Sequence, residues 1–155
     1  MPVVKVDDIK ISYTERGKGE AVVLIMGLGA VKESWFMNIP VLSKHFRVIA
    51  MDSRGVGETD RSGEAYTMAR MAQDTVGLLD ALNIDKAHIV GVSLGSMIAQ
   101  EVAISFQQRV NKLVLAATTP GMSDAANKEL WEKKNAEMRI STGMGEDFNE
   151  RIVND

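Results

Sequence analysis

The stretch Ala87-His88-Ile89-Val90-Gly91-Val92-Ser93-Leu94-Gly95-Ser96-Met97-Ile98-Ala99-Gln100 decides how this chain is read. Its first six residues form a short apolar run of the kind found in strands buried on both faces, and Leu94 to Phe106 reads as an apolar-rich helix. At their junction, Gly91-Val92-Ser93-Leu94-Gly95 fits the pattern G-x-S-x-G in the strand-then-helix context that a nucleophile elbow demands. A sharp turn there requires glycine on both sides, because side chains at Gly91 or Gly95 would collide with the neighbouring strand and helix. Ser93 is thereby expected to stand exposed at a helix N-terminus as a nucleophile, with the N–H of Leu94 as one donor to a tetrahedral oxyanion. The bland alternative is a serine that merely caps a helix in a glycine-rich turn.

Working outward, similar patterns recur on either side. Val3 to Val6 and Ile9 to Thr14 read as a hairpin turning at Asp7 and Asp8. Ala21 to Met26 and Phe46 to Met51 are two more buried-strand runs, separated by a helical segment around Ser34 to His45 in which Pro40 is a point of bending. Met68, Met71, Ala72, Thr75, Leu79 and Leu82 recur at helical spacing, which predicts an amphipathic helix from about Tyr66 to Leu82. Lys112 to Ala117 is a fourth buried strand, closed by Thr118, Thr119, Pro120 and Gly121. Alternation of this kind predicts an α/β fold: a mostly parallel sheet of about six strands with helices on both faces. Residues 1–121 make up this core portion, and 122–155 form a polar, Met-dotted, helix-prone tail. No internal repeat interrupts the pattern.

Composition narrows the classes of partner. The 155 residues are 45% hydrophobic and 25% charged, which is ordinary for one domain with a respectable core. The 18 basic and 21 acidic residues are scattered, giving a net charge of -3 with no basic block to track a phosphate backbone, so nucleic acid is not an expected partner. No apolar run approaches the roughly 20 residues of a membrane span, and the start lacks the core of a signal peptide. A cytoplasmic address is the expectation. The absence of cysteine excludes disulfides, thiolate catalysis and Cys-based zinc sites, and no cofactor or metal is expected.

A second oxyanion donor is expected from the loop after an earlier strand. Met26-Gly27-Leu28-Gly29 occupies that place, with the Leu28 N–H as the natural candidate, although a glycine pair can also do no more than make a tight turn. Ala21 to Ala30, Asp52-Ser53-Arg54-Gly55-Val56-Gly57-Glu58-Thr59-Asp60 and Ala87 to Gln100 together resemble the α/β-hydrolase superfamily. Within it, the chain is most similar to the small esterase, lactonase and haloperoxidase-like branch, whose members show a D-x-R-G-x-G-x-S-D loop and a G-x-S-x-G-G elbow where this chain has DSRGVGETD and GVSLGS. The resemblance covers residues 3 to 121 and implies acyl transfer from a small ester to water. It also implies that Asp52 and Arg54 are turn and salt-bridge residues, and that the tail corresponds to the start of a cap region. Three positions depart from the family pattern: Met26 stands for the usual histidine of the oxyanion loop, Val92 for a frequent histidine before the nucleophile, and Ser96 for a small glycine. None removes a backbone donor.

The triad of such hydrolases runs serine, acid, histidine along the chain. Here the two histidines, His45 and His88, both precede Ser93. His88 begins the strand that ends at Ser93, about 16 Å away at about 3.3 Å per residue, and His45 belongs at the same far edge of the sheet. Asp124 is a candidate acid, since some relatives place theirs after the corresponding strand. The expectation is therefore a truncated hydrolase fold whose Lys112 to Ala117 strand lies at an open sheet edge. Homo-oligomerisation through that edge or through an uncovered face, a complementing chain, or a tail folded back from Ser123 to Asp155 would cover it. Two other readings remain open. One is a non-catalytic scaffold or ligand-binding module of the same fold. The other is a dinucleotide-binding domain, with Gly27-Leu28-Gly29-Ala30-Val31-Lys32 as the glycine turn and Asp52 as the ribose-binding acid, against which Lys32 stands where a small residue is needed.

Overall fold

The computed structural model describes residues 2–63 and 65–119, together with the backbone of 152–153. Strands β1 (Val3–Val6), β2 (Ile9–Arg16), β3 (Ala21–Ile25) and β4 (Arg47–Met51) come first, with a 3₁₀ turn at Lys32–Trp35 and a single helical turn α1 (Ile39–Leu42) between β3 and β4. A two-residue strand β5 (Tyr66–Thr67) leads into α2 (Met68–Ala81). Then follow β6 (Ala87–Val92), α3 (Leu94–Ser105), a second 3₁₀ turn at Gln107–Arg109 and β7 (Val110–Ala116). One six-stranded sheet results, in the order β1-β2-β4-β3-β6-β7. β1 and β2 pair antiparallel, as does β2 with β4, while β4, β3, β6 and β7 run parallel. The α/β architecture expected from the alternation of apolar runs is present.

β3 explains why the sheet holds. All five of its side chains are buried, and they alternate between two cores. Ala21, Val23 and Ile25 join Met71, Leu78, Leu79, Ile98 and Val102 under α2 and α3. Val22 and Leu24 point to the other face, against Trp35 and Ile39. A strand with water on neither face reads as a continuous apolar run for this reason. Each of its valine, leucine and isoleucine side chains contributes about 1.5–3 kcal/mol by leaving water.

Three expectations are corrected. The segment around Ser34 to His45 is not one bent helix. Pro40 lies in the first turn of α1, where its missing N–H needs no partner, so it starts a new helical turn after the 3₁₀ turn instead of kinking an old one. The last strand is not the buried strand that its composition reads as, but the open sheet edge expected of Lys112 to Ala117: Leu113, Val114 and Leu115 are 37%, 51% and 36% exposed, because among the described residues β7 has a neighbour, β6, on one side alone. Tyr66 and Thr67 are extended instead of helical, and the Thr67 hydroxyl caps α2 by accepting from the Arg70 N–H at 3.0 Å. Of the expected tail, Ile152–Val153 (β8) pairs in parallel with β5, not with β7. The rest of it, including Asp124, lies outside the described residues. Among those described, no helix is long and apolar enough to cross a membrane.

The parallel register gathers the functional segments. Ile25 is level with Met51 and Gly91, and Val92 with Ala116, so the turns after β3, β4, β6 and β7 emerge at one edge of the sheet. The chain leaves β3 to one side to form β4 and returns to the other to form β6. Such a switch of direction opens a crevice at the carboxyl ends of the strands.

Candidate active site

Ser93 lies at that crevice, between the fully paired β6 and the N-terminus of α3. Its backbone sits at φ 54, ψ -119, a conformation that side chains other than glycine rarely adopt. The neighbours enforce it. A Cβ on Gly91 would run into the carbonyl of Gly95, and one on Gly95 into the carbonyl of Ile25 in β3. The Ser93 N–H donates to the Ala116 carbonyl of β7 at 2.9 Å. Its own carbonyl accepts from the Ser96 N–H at 2.9 Å and the Ser96 hydroxyl at 2.6 Å. Ser93 holds the N-cap position of α3, yet its side chain makes no capping hydrogen bond and is exposed while Leu94, Gly95 and Ser96 are buried. The hydroxyl is therefore not used as a helix cap.

The turn after β3 presses against this serine. Ala30 N–H closes on the Gly27 carbonyl at 3.1 Å, with Gly29 at φ +66. A Cβ on Gly27 would stand 3.2 Å from that of Ser93. The glycine turn is thus both a tight turn and a wall of the crevice. Leu28 is half-buried against the α2/α3 core. Among the described residues, no backbone acceptor takes the N–H of Leu28 or of Leu94.

Behind this turn lies a buried ion pair in which Asp52, expected as a turn and salt-bridge residue, has a partner, Lys32, that sequence reading did not assign to it. Lys32 is 1% exposed and Asp52 0%. The Lys32 N–H donates to Asp52 Oδ1 at 2.7 Å and its Nζ to Oδ2 at 2.7 Å, with Glu33 3.1 Å and Glu58 3.5 Å from the same ammonium. Burial alone would lower the Lys32 pKa, but hydrogen bonds to Asp52 and Glu33 outweigh it and hold it above the ordinary lysine value. Asp52 also accepts from the Glu58 N–H at 3.2 Å. With both oxygens engaged inside the chain, it is not free to receive a ribose hydroxyl, which removes the support for dinucleotide binding. A lysine directly after the apolar stretch Leu28 to Val31, with an aspartate at the end of the next strand, was the available signal.

Arg54 and Asp74 form a second buried pair below the loop that follows β4. Arg54 Nε reaches Asp74 Oδ2 and Nη2 reaches Oδ1, each at 2.7 Å, while Nη1 donates to the Ser62 hydroxyl at 2.7 Å. Burial opposes the Arg54 charge, but Asp74 and Asp8 raise its pKa further. Asp74 was also missed. It follows Met71 by three residues and precedes Leu78 by four, so it lies on the apolar stripe of α2, where an acid needs a partner.

Both histidines stand at the opposite edge of the sheet. His88 is level with Val22 near the start of β3, and its Nε2 lies 3.2 Å from Glu20. His45 is exposed in the turn before β4. Among the described residues, no cluster of three or more His, Asp and Glu has the arrangement of a metal site.

The family model described as alpha/beta hydrolase fold matches residues 20–140. A Mycobacterium tuberculosis protein that carries the name of a non-heme bromoperoxidase, BpoC, is 36% identical over 132 residues, which are 84% of this chain and 49% of that one. A 2-hydroxy-6-oxo-6-(2'-aminophenyl)hexa-2,4-dienoic acid hydrolase of Metapseudomonas resinovorans is 40% identical over 116 residues, 72% of this chain and 40% of the relative. Among solved structures, a thermophilic esterase from Thermogutta terrifontis superposes with a TM-score of 0.81 at 27% identity, over 92% of this chain and 55% of that one. The chain spans about half the length of the relatives it matches.

Proposed function

Because this chain belongs to the α/β-hydrolase fold family, we propose that it contributes the nucleophile and oxyanion-binding portion of a serine hydrolase of the esterase or lactonase kind. In this reading the Ser93 oxygen attacks the acyl carbon of a small ester, the alcohol leaves with a proton, and water releases the acid from the acyl-serine. The N–H groups of Leu28 and Leu94 stabilise the oxyanion. The observation that carries the reading is the strained, exposed and uncapped Ser93 at φ 54, ψ -119 with the glycine turn against it. Strain of this kind costs about 1–3 kcal/mol and is kept where it aims a reactive group.

The proton of Ser93 needs an acceptor, and His45 and His88 are both at the far edge of the sheet. The acceptor in this reading comes from a further polypeptide segment that docks along β7, either continuous with this chain or separate from it. A second reading, a self-associating scaffold that keeps the fold without the reaction, is favoured by the absence of an imidazole near Ser93 among the described residues. It would use the exposed Leu113, Val114 and Leu115 of β7 as its contact.

Reaction with a fluorophosphonate, beside hydrolysis of a short-chain ester, separates the two. Labelling and turnover in the wild type, both absent in Ser93→Ala, support the nucleophile. A wild type that stays unlabelled while sedimenting as a dimer or larger supports the scaffold.

A further inference from the structure

We propose that the buried Lys32–Asp52 pair is a positioning device for the oxyanion turn: it fixes the orientation of the loop that carries the Leu28 N–H toward Ser93. This rests on the hydrolase reading above. The loop from Met26 to Val31 is held at one end by β3, every residue of which is buried. Its other end enters the 3₁₀ turn Lys32–Trp35, whose N-cap residue, Val31, supplies no side-chain hydrogen bond. The cap comes instead from across the sheet, as Asp52 Oδ1 accepts the Lys32 N–H at 2.7 Å. Oδ2 of the same carboxylate takes the Lys32 ammonium, also at 2.7 Å. One residue is thus gripped through its backbone and its side chain at once, which fixes direction as well as distance.

Asp52 is itself immobilised. Its N–H donates to the Ser12 carbonyl at 3.0 Å, and its carbonyl accepts the Thr59 hydroxyl at 2.9 Å. Oδ2 accepts the Glu58 N–H, and Gly57 has no room for a Cβ beside it. The carboxylate therefore ties the loop after β4 to the loop after β3. As a source of stability alone, such a pair is no better than two well-packed apolar side chains. An apolar pair would leave the 3₁₀ turn uncapped and the loop end free to rotate. An oxyanion donor tolerates little of that, since productive geometry lies within about 0.5 Å and 10–20°.

The test compares wild type, Lys32→Met, Asp52→Leu, the double variant and Lys32→Arg, with Val76→Ala on α2 as a control for general loss of stability. The double variant buries no lone charge and so remains foldable if a single variant does not. Two readouts are taken: hydrogen exchange of the Ala30 amide with the NMR shift of the Leu28 amide, and the rate of Ser93 phosphonylation. The expected result in the double variant is Ala30 exchange at least tenfold faster than in Val76→Ala, a moved Leu28 resonance and labelling slowed at least tenfold. Lys32→Arg should restore part of each. Exchange and labelling matching the Val76→Ala control would overturn the proposal. If wild-type Ser93 does not react at all, the nucleophile reading fails, and the amide measurements alone then decide whether the pair holds the loop.

Discussion

A methyl group placed on Gly27 would stand 3.2 Å from Cβ and 3.8 Å from Oγ of Ser93, so the turn after β3 passes so close to the turn after β6 that a side chain there would crowd the serine. Gly27 has no positive φ, and alanine fits its backbone. Gly27→Ala should therefore cost no more than about 1 kcal/mol in urea unfolding. It should slow Ser93 labelling about tenfold or more by pushing the oxyanion turn away. Unchanged labelling would show that the contact has no bearing on reactivity.

Ser93→Gly and Ser93→Ala should differ in stability although both lack the hydroxyl. Glycine accepts φ 54, ψ -119 without strain and alanine does not. The glycine variant should be the more stable by about 1 kcal/mol, with both unlabelled. Equal urea midpoints would mean that the elbow stores no strain.

Breaking the Arg54–Asp74 pair from one side should be severe. Arg54→Met leaves the Asp74 carboxylate, 3% exposed, without its two-point partner. The expected loss is about 3–5 kcal/mol. Combining it with Asp74→Leu should recover most of that loss. A single variant within 1 kcal/mol of wild type, by the error scale of about 0.5 kcal/mol for such comparisons, would contradict the burial of the pair.

Acid should weaken the junction of β1, β2 and α2. Burial acts to raise the Asp8 pKa, but hydrogen bonds from Arg54 and Arg70 prevail and hold it below its ordinary 3.8. A lowered folded pKa means that the contribution is fully present above 3.8 and is lost as pH falls through the folded value. Asp8→Asn should flatten the fall of stability in that acid range and leave the dependence near neutrality unchanged, as read from urea midpoints across pH. An identical acid limb in the two proteins would refute this.

Much of the fold was legible because its signals are local. β6 was delimited from its apolar run alone, and α2 from the spacing of Met71, Thr75 and Leu79, since a side chain's face is fixed by its own helix or strand period. The error at Pro40 came from treating proline as a breaker where it serves as a starter. β7 has the composition of a buried strand, and its exposure follows from what lies beside it. The site was half legible: Ser93 and Gly27 announce themselves by glycine spacing, whereas Lys32 and Asp74 each meet a partner twenty residues away. No short-range period encodes such a pairing.

The sequence by itself determined the strand–turn–helix around Ser93, because glycine is needed wherever a backbone is bent that sharply and packed that closely. It also determined that, within these 155 residues, both histidines, His45 and His88, precede this serine. Only the tertiary structure decided that β4 and β6 flank β3, and hence that the turn after β3 lies close to Ser93 with its end at Lys32 hydrogen-bonded to Asp52. Strand order is set by burying two apolar faces at once, a condition on the whole sheet that no single segment carries.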